Sequence, residues 1–343
     1  MSADPKPIEE LHDVDAWRFQ SEVVTQYRPV VLRGLVSKWP AVARARQSIE
    51  AFAAYLTAFD SGKQVDVLMV PPHARGRIFY NENLSGFNYS HDKLSVGKVA
   101  SQLLRYAKFE NRPGVAVQSA PVAECLPGFE RENVLPVLDP DVAPRIWMGN
   151  AIVTPAHFDE SSNVACVVAG RRRFTLLPPG QVTNLYVGPL DFAPTGTPIS
   201  MVSFREPDFA KHPRFRDAME AAFVADLGPG DALYIPPLWW HHVESLERFN
   251  VLVNYWWRAA EAGVPDKANS ALNALLLGLL SLRDLPADQR AAWREMFDHY
   301  IFNADESVAA HIPAHRRSVL GEISPKLAAE VRAFLVAQLE KKE

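Results

Sequence analysis

Between Ile146 and Trp257 the chain is written in short β-rich runs: Arg145 to Met148, Val164 to Val168, Arg173 to Leu177, Ala232 to Ile235 and Val251 to Trp257. Gly170, Pro178-Pro179-Gly180 and Gly228-Pro229-Gly230-Asp231 stand between them as strong turn signals. Regular short strands closed by such turns have few solutions, and the expected one is a sandwich or a jelly-roll barrel.

The flanks follow a different grammar. Asp13 to Gln26 has helical spacing and leads into the β-rich run Pro29-Val30-Val31-Leu32-Arg33-Gly34-Leu35. Ser48 to Phe59 and Leu94 to Phe109 read as amphipathic helices, with short strands at Val65 to Val70, Ile78 to Tyr80 and Val115 to Gln118. After Trp257 only helical runs remain, at Asp266 to Leu282, Asp288 to Phe302 and Pro325 to Glu340. The expected division is therefore a mixed α/β part over 1–120 that packs on the barrel and lends it strands, a core barrel over 121–260, and a helical region over 261–343.

Bulk properties exclude several partners. The 343 residues are 48% hydrophobic, ample for a buried core. With a formal net charge of -4 and scattered Lys and Arg, no nucleic-acid partner is expected. The longest apolar stretch, Ala271 to Leu282, is too short to span a bilayer, so no membrane role is expected. The polar, acidic stretch from Met1 to Glu10 is unlike a signal peptide, and Cys166 lies in an apolar run where a buried free thiol is expected. Both features suit a reducing cytoplasm.

The chemistry concentrates in two places, His157-Phe158-Asp159 and Trp239-Trp240-His241-His242. In a strand, residues i and i+2 face one side, so His157 and Asp159 can point together into a barrel while Phe158 points away. Two imidazoles and one carboxylate form the facial triad that leaves positions open on a non-haem Fe(II). From these residues alone either His241 or His242 can complete it, and the two tryptophans read equally as core or as a dry wall around an oxygen-activating centre.

Two blocks, Thr154-Pro155-Ala156-His157-Phe158-Asp159-Glu160 and Gly228 to Ser245, resemble the JmjC-type, cupin-like Fe(II)/2-oxoglutarate oxygenases, with the asparaginyl hydroxylases of that family the nearest look-alike. The resemblance begins at Pro29 to Gly34, with Trp39-Pro40 just beyond, and runs to Asn254-Tyr255-Trp256, about two-thirds of the chain. It implies a double-stranded β-helix, mainly β with flanking helices, and a metal held by His157, Asp159 and His241. It further implies Fe(II), 2-oxoglutarate as cosubstrate, and O2. By the same resemblance Thr154 and Arg172 hold the far carboxylate of 2-oxoglutarate, Asn163 and Asn254 lie near its chelating end, Trp256 is an aromatic wall, and Gln118 sits on the substrate or cosubstrate side.

Arg171-Arg172-Arg173 can put at most one face into a barrel, and Arg172 should share its face with Phe174. Where the resemblance has a tyrosine helping to hold the far carboxylate, this chain has Ala116; Tyr80 or Tyr234 could substitute, or Arg172 could make it unnecessary. The arginine and glutamine that grip a target amide in the asparaginyl hydroxylases are missing from Thr197-Pro198-Ile199-Ser200-Met201-Val202. The implied function is a dioxygenase, by default a hydroxylase of a protein side chain, peptide or small molecule. A cupin metalloenzyme without 2-oxoglutarate and a non-catalytic JmjC-like scaffold are its rivals. The leucine cluster Leu272, Leu275, Leu276, Leu279 and Leu280 implies a homodimer through the C-terminal helices.

Overall fold

Residues 5–258 and 270–340 are described by the computed structural model of the chain. Short strands dominate the first compact unit, Met1–Arg258. In chain order they begin with β1 (Lys6–Pro7), β2 (Glu9–His12), β3 (Val30–Arg33), β4 (Val65–Val70) and β5 (Ser90–Leu94). There follow β6 (Gly114–Pro121), β7 (Pro144–Gly149), β8 (Val153–His157), β9 (Ser162–Ala169) and β10 (Arg172–Leu177). The last are β11 (Phe223–Leu227), β12 (Ala232–Ile235), β13 (Trp240–Ser245) and β14 (Asn250–Trp257).

They form two sheets. The smaller runs β1-β11-β10-β13-β8 and the larger β2-β3-β12-β9-β14-β7-β6-β4-β5. From β7 to β10, and again from β11 to β14, consecutive strands alternate between the sheets, with β10 and β11 paired in the smaller one, which is the double-stranded β-helix. Strand alternation sorts the side chains: Val164, Cys166, Tyr234, Val251 and Val253 face outward under the helices Pro40–Gln47, Ile49–Phe59 and Val96–Tyr106. Ala165, Val167, Phe174, Leu176, Leu233, Ile235, Val243 and Leu252 face inward and close one end of the barrel. Cys125 and Cys166 are both buried and free.

The larger helices and strands of the sequence reading are present, with corrections. Ile78 to Tyr80 is not a strand: Arg77 makes one parallel bridge to Val153 and Tyr80 one antiparallel bridge to Phe87. Arg75 and Gly76 both have positive φ just before it, so the chain turns too soon for a ladder. The helical stretch Asp13 to Gln26 breaks into Ala16–Arg18, a wider turn Phe19–Val23 and a tighter turn Val24–Gln26, where the β-branched run Val23-Val24-Thr25 crowds a regular helix. Leu94 closes β5 rather than opening a helix, and Ser95 caps the helix that follows. Strands β1, β2, β5, β11 and β13 are additions to the sequence reading, and β8 ends at His157.

Within the second unit, Ala259–Glu343, the helices are Ala271–Leu282, Ala287–Phe297 with a wider turn through Asp298–Phe302, and Pro325–Leu339. The first predicted run starts at Asp266, and its residues 266–269 lie outside those described. Among the described residues no helix is long and apolar enough to cross a membrane.

Candidate active site

His157 closes β8 and His241 stands second in β13, directly opposite it in the ladder. Asp159 lies just past the end of β8, not within it as the spacing suggested; its C=O accepts from Leu238 N–H at 2.8 Å, which ties the two ligand-bearing segments together. One ligand atom from each of His157, Asp159 and His241 lies within 4.8 Å of the others, the geometry a single ion needs. Phe158 turns away and packs edge-on to Trp240 at 5.0 Å.

A β-bulge supplies what alternation alone cannot. His241 pairs with His157 but Val243 pairs with Thr154, so β8 holds one residue more than β13 across the Pro155-Ala156 step. The extra residue lets Thr154 and His157, three apart, both face one cavity. Proline suits the position because it has no N–H to give to a ladder. A second bulge lies in β6, where the register to β7 shifts between Val117 and Ala120 and Ser119 adopts φ 48. Arg145 clamps it by donating to both Oγ and O of Ser119, and Gln118 is thereby aimed inward.

The imidazoles are preset as ligands. His157 Nδ1 lies 2.9 Å from Pro155 O and His241 Nδ1 3.0 Å from Trp239 O. A carbonyl only accepts, so each Nδ1 carries a hydrogen and Nε2 is the nitrogen left to a metal. Burial, and after it the neighbouring His241, hold the His157 pKa well below its ordinary value, so the ring is neutral at pH 7.

Asp159 is held as firmly. Its Oδ2 accepts from Trp256 Nε1 at 3.0 Å and from Asn163 Nδ2 at 3.3 Å. Asn163 Oδ1 in turn accepts from Asn254 Nδ2 at 3.3 Å, and Asn254 Oδ1 from Trp147 Nε1 at 2.9 Å. Both buried amides therefore serve a side-chain relay that ends on the carboxylate. Trp147 is the member the sequence reading missed; an outward-inward count along β7 from Ile146 and Met148, both outer core, would have found it.

Every sequence-predicted site residue, namely Gln118, Thr154, His157, Asp159, Asn163, Arg172, His241, Asn254 and Trp256, lines one cavity of about 100 Å³. Trp147, Ala165, Phe174, Thr195, Ile235, Val243 and Leu252 complete the wall. His242 does not face it: the ring points to the other side of β13 and stacks on Phe204 at 4.4 Å. Its pKa is pushed down to about 3, by burial first and then by Arg205 and Arg77.

Arg172 enters from β10 beside Phe174, while Arg171 and Arg173 go outward to Glu247 and Asp226. It is buried, its Nε has no hydrogen-bond partner, and burial pulls its pKa down to about 10, still a cation at neutral pH. Tyr80 donates to Phe192 O and Tyr234 packs with Phe19 in the outer core, so neither replaces the tyrosine absent at Ala116.

A double-stranded β-helix that gathers two imidazoles and a braced carboxylate at its cavity is the architecture of a non-haem Fe(II) oxygenase. Residues 16–263 match the cupin-like domain family, and the chain belongs to it, among the JmjC-type oxygenases whose cofactors are Fe(II), 2-oxoglutarate and O2. It is 26% identical to lysine-specific demethylase JMJ31 of Arabidopsis thaliana over 70% of this chain and 48% of that protein. Lysine-specific demethylase 8 of Danio rerio is 26% identical over 74% of this chain and 58% of its own length. HSPB1-associated protein 1 of Homo sapiens is 30% identical over 43% of this chain and 30% of that protein. The matched part thus spans between about a third and three-fifths of each relative.

Proposed function

We propose that the chain is a hydroxylase that oxidises an unactivated C–H bond of a protein side chain, peptide or small molecule. In this reading His157, Asp159 and His241 hold Fe(II), and Arg172 with Thr154 holds the far carboxylate of 2-oxoglutarate. The observation that carries it is Arg172, a buried guanidinium with no acid partner among the described residues, in the same cavity as three convergent metal ligands. A buried charge is costly unless paired, and a planar fork suits a carboxylate. Along β13, His241 and the Ser245 opposite Arg172 are four residues apart, roughly 13 Å at about 3.3 Å per residue. Side chains reaching in from both ends leave room for a short dicarboxylate.

When bound, iron and 2-oxoglutarate supply the activation of O2 that side chains cannot. The protein's part is positional. Trp256 and the Asn254-Asn163 relay fix Asp159, the two Nδ1 hydrogen bonds fix the imidazoles, and Trp147, Phe174, Ile235, Val243 and Leu252 keep the cavity dry. Gln118 on its bulge is placed to touch substrate or cosubstrate. Hydroxylation is favoured over removal of an N-methyl group because, among the described residues, the cavity wall holds no carboxylate besides Asp159 to receive a cationic side chain.

Two further parts of the reading concern the whole chain. A second copy docks on the C-terminal helices, and the buried free thiols suit a reducing, cytoplasmic setting.

The test is succinate formation from 2-oxoglutarate with Fe(II), followed by incubation with cell extract under isotopic oxygen to find the labelled product. The expected result is turnover that His157→Ala abolishes. The reading fails if neither a candidate substrate nor uncoupled turnover yields succinate and the His157→Ala protein binds iron like the parent.

A further inference from the structure

On the outer face of the smaller sheet, back to back with the metal cavity, lies a second cavity of about 140 Å³. Strand alternation builds both: His241 and Val243 face one and His242 the other, while Thr154 faces one and Val153 and Pro155 the other. Three guanidinium groups line the outer cavity, those of Arg75, Arg77 and Arg205. Two are matched by acids: Arg205 Nε donates to Glu244 Oε2 at 2.5 Å and Arg75 Nη1 to Glu206 Oε1 at 2.7 Å.

Arg77 is not matched. It is half-buried, donates to Met201 O at 3.3 Å and lies over the Phe79 ring at 3.6 Å, with no carboxylate within 4.0 Å among the described residues. No acid among the described residues compensates its charge, and its partial burial limits what solvent can do. Beside it His242, 3% exposed and stacked on Phe204, has an Nδ1 without a hydrogen-bond partner, the nearest acid oxygen being Glu244 Oε1 at 3.9 Å. A stack on Phe79 alone would account for an exposed arginine; it leaves a half-buried one in a polar cavity without a counter-ion.

We propose that this cavity is a second ligand site, separate from the metal centre, that takes a small oxyanion, a phosphate or carboxylate group, on Arg77 and Arg205 with Ser203 beside them. Guanidinium forks match the paired oxygens of such groups, and the glutamates on Arg205 and Arg75 are competitors that an anion must displace.

The experiment is calorimetric titration of phosphate and, separately, succinate at constant ionic strength with chloride as control, in an Arg172→Gln background that silences the anion position of the metal cavity. Saturable binding of one of the two is expected, and whichever binds identifies the group. Arg77→Gln is expected to weaken it at least tenfold. Glu244→Gln, which removes the acid competing for Arg205, is expected to tighten it severalfold, a change that misfolding cannot produce. The proposal is overturned if neither anion binds beyond the chloride control, or if Arg77→Gln and Glu244→Gln both bind like their parent. An Arg172→Gln protein that still binds 2-oxoglutarate normally would count against the oxygenase site alone and leave this one standing.

Discussion

Asp159 shows how much a single ligand depends on residues that never touch metal. Its Oδ2 accepts from Trp256 at 3.0 Å, and the Asn163-Asn254-Trp147 relay holds the same oxygen from the other side. Outer partners of this kind are worth about 10–100-fold in metal affinity. Trp256→Phe keeps the ring and deletes the donor, so Mn(II) titration should show a loss of that size with the melting temperature little changed. An unaltered affinity would make Trp256 plain core. Arg172 invites the opposite stability test, because a buried charge with no acid partner among the described residues burdens the free protein. Replacing such a group by an apolar one of similar volume is neutral or stabilising by about 1–4 kcal/mol. Arg172→Met should therefore unfold at an equal or higher urea midpoint while the KM for 2-oxoglutarate rises about a hundredfold, with Arg172→Lys intermediate. A Met variant that unfolds at a clearly lower midpoint would make Arg172 structural.

Elements decide which way these residues face, and the reversal from β9 to β10 is the one most exposed to a single change. Gly170 has φ +73, and a Cβ there would lie 2.3 Å from Asn250 Oδ1 and 2.5 Å from Phe249 O. Gly170→Ala must move backbone or break that approach, at a cost of roughly 2 kcal/mol or more. Because Arg172 starts β10 two residues later, urea denaturation and 2-oxoglutarate titration should both register the change. Stability lost with cosubstrate affinity intact would separate the turn from the site. The same scale explains what could be read from sequence. Turn residues announced Gly170 and Gly228 to Asp231, and hydrophobic runs announced β9, β12 and β14, so the barrel was legible. Strand β13 was hidden because Trp240-His241-His242-Val243-Glu244-Ser245 buries polar residues on both faces, and only pairing with β8 and β10 reveals which imidazole looks inward. The bulges at Pro155-Ala156 and Gln118-Ser119 were hidden for a related reason. An extra residue is defined by the partner strand, which a single sequence does not display.

At the scale of the whole molecule the open feature is the apolar surface of the C-terminal helices. Ala271–Leu282, Ala287–Phe297 and Pro325–Leu339 each hold no fully buried residue. Leu275 is 51% and Leu280 84% exposed, and Trp293, Met296, Phe334, Leu335 and Leu339 are exposed as well. Large apolar side chains gathered on helices that bury none of them call for a partner, and a second copy related by a twofold axis presents the same residues twice. Light scattering should give twice 38.2 kDa for the full chain at micromolar concentration. Burying one leucine contributes about 1.5–3 kcal/mol, so a twofold interface that loses Leu280 from both copies loses about 3–6 kcal/mol. Leu280→Glu adds the cost of two buried carboxylates to that loss. The expected outcome is a dissociation constant raised by at least about two to four orders of magnitude and a monomer at the same concentration, with Mn(II) affinity at His157, Asp159 and His241 unchanged. A parent chain that is already monomeric, or a Leu280→Glu chain that stays dimeric, places the partner of these helices elsewhere.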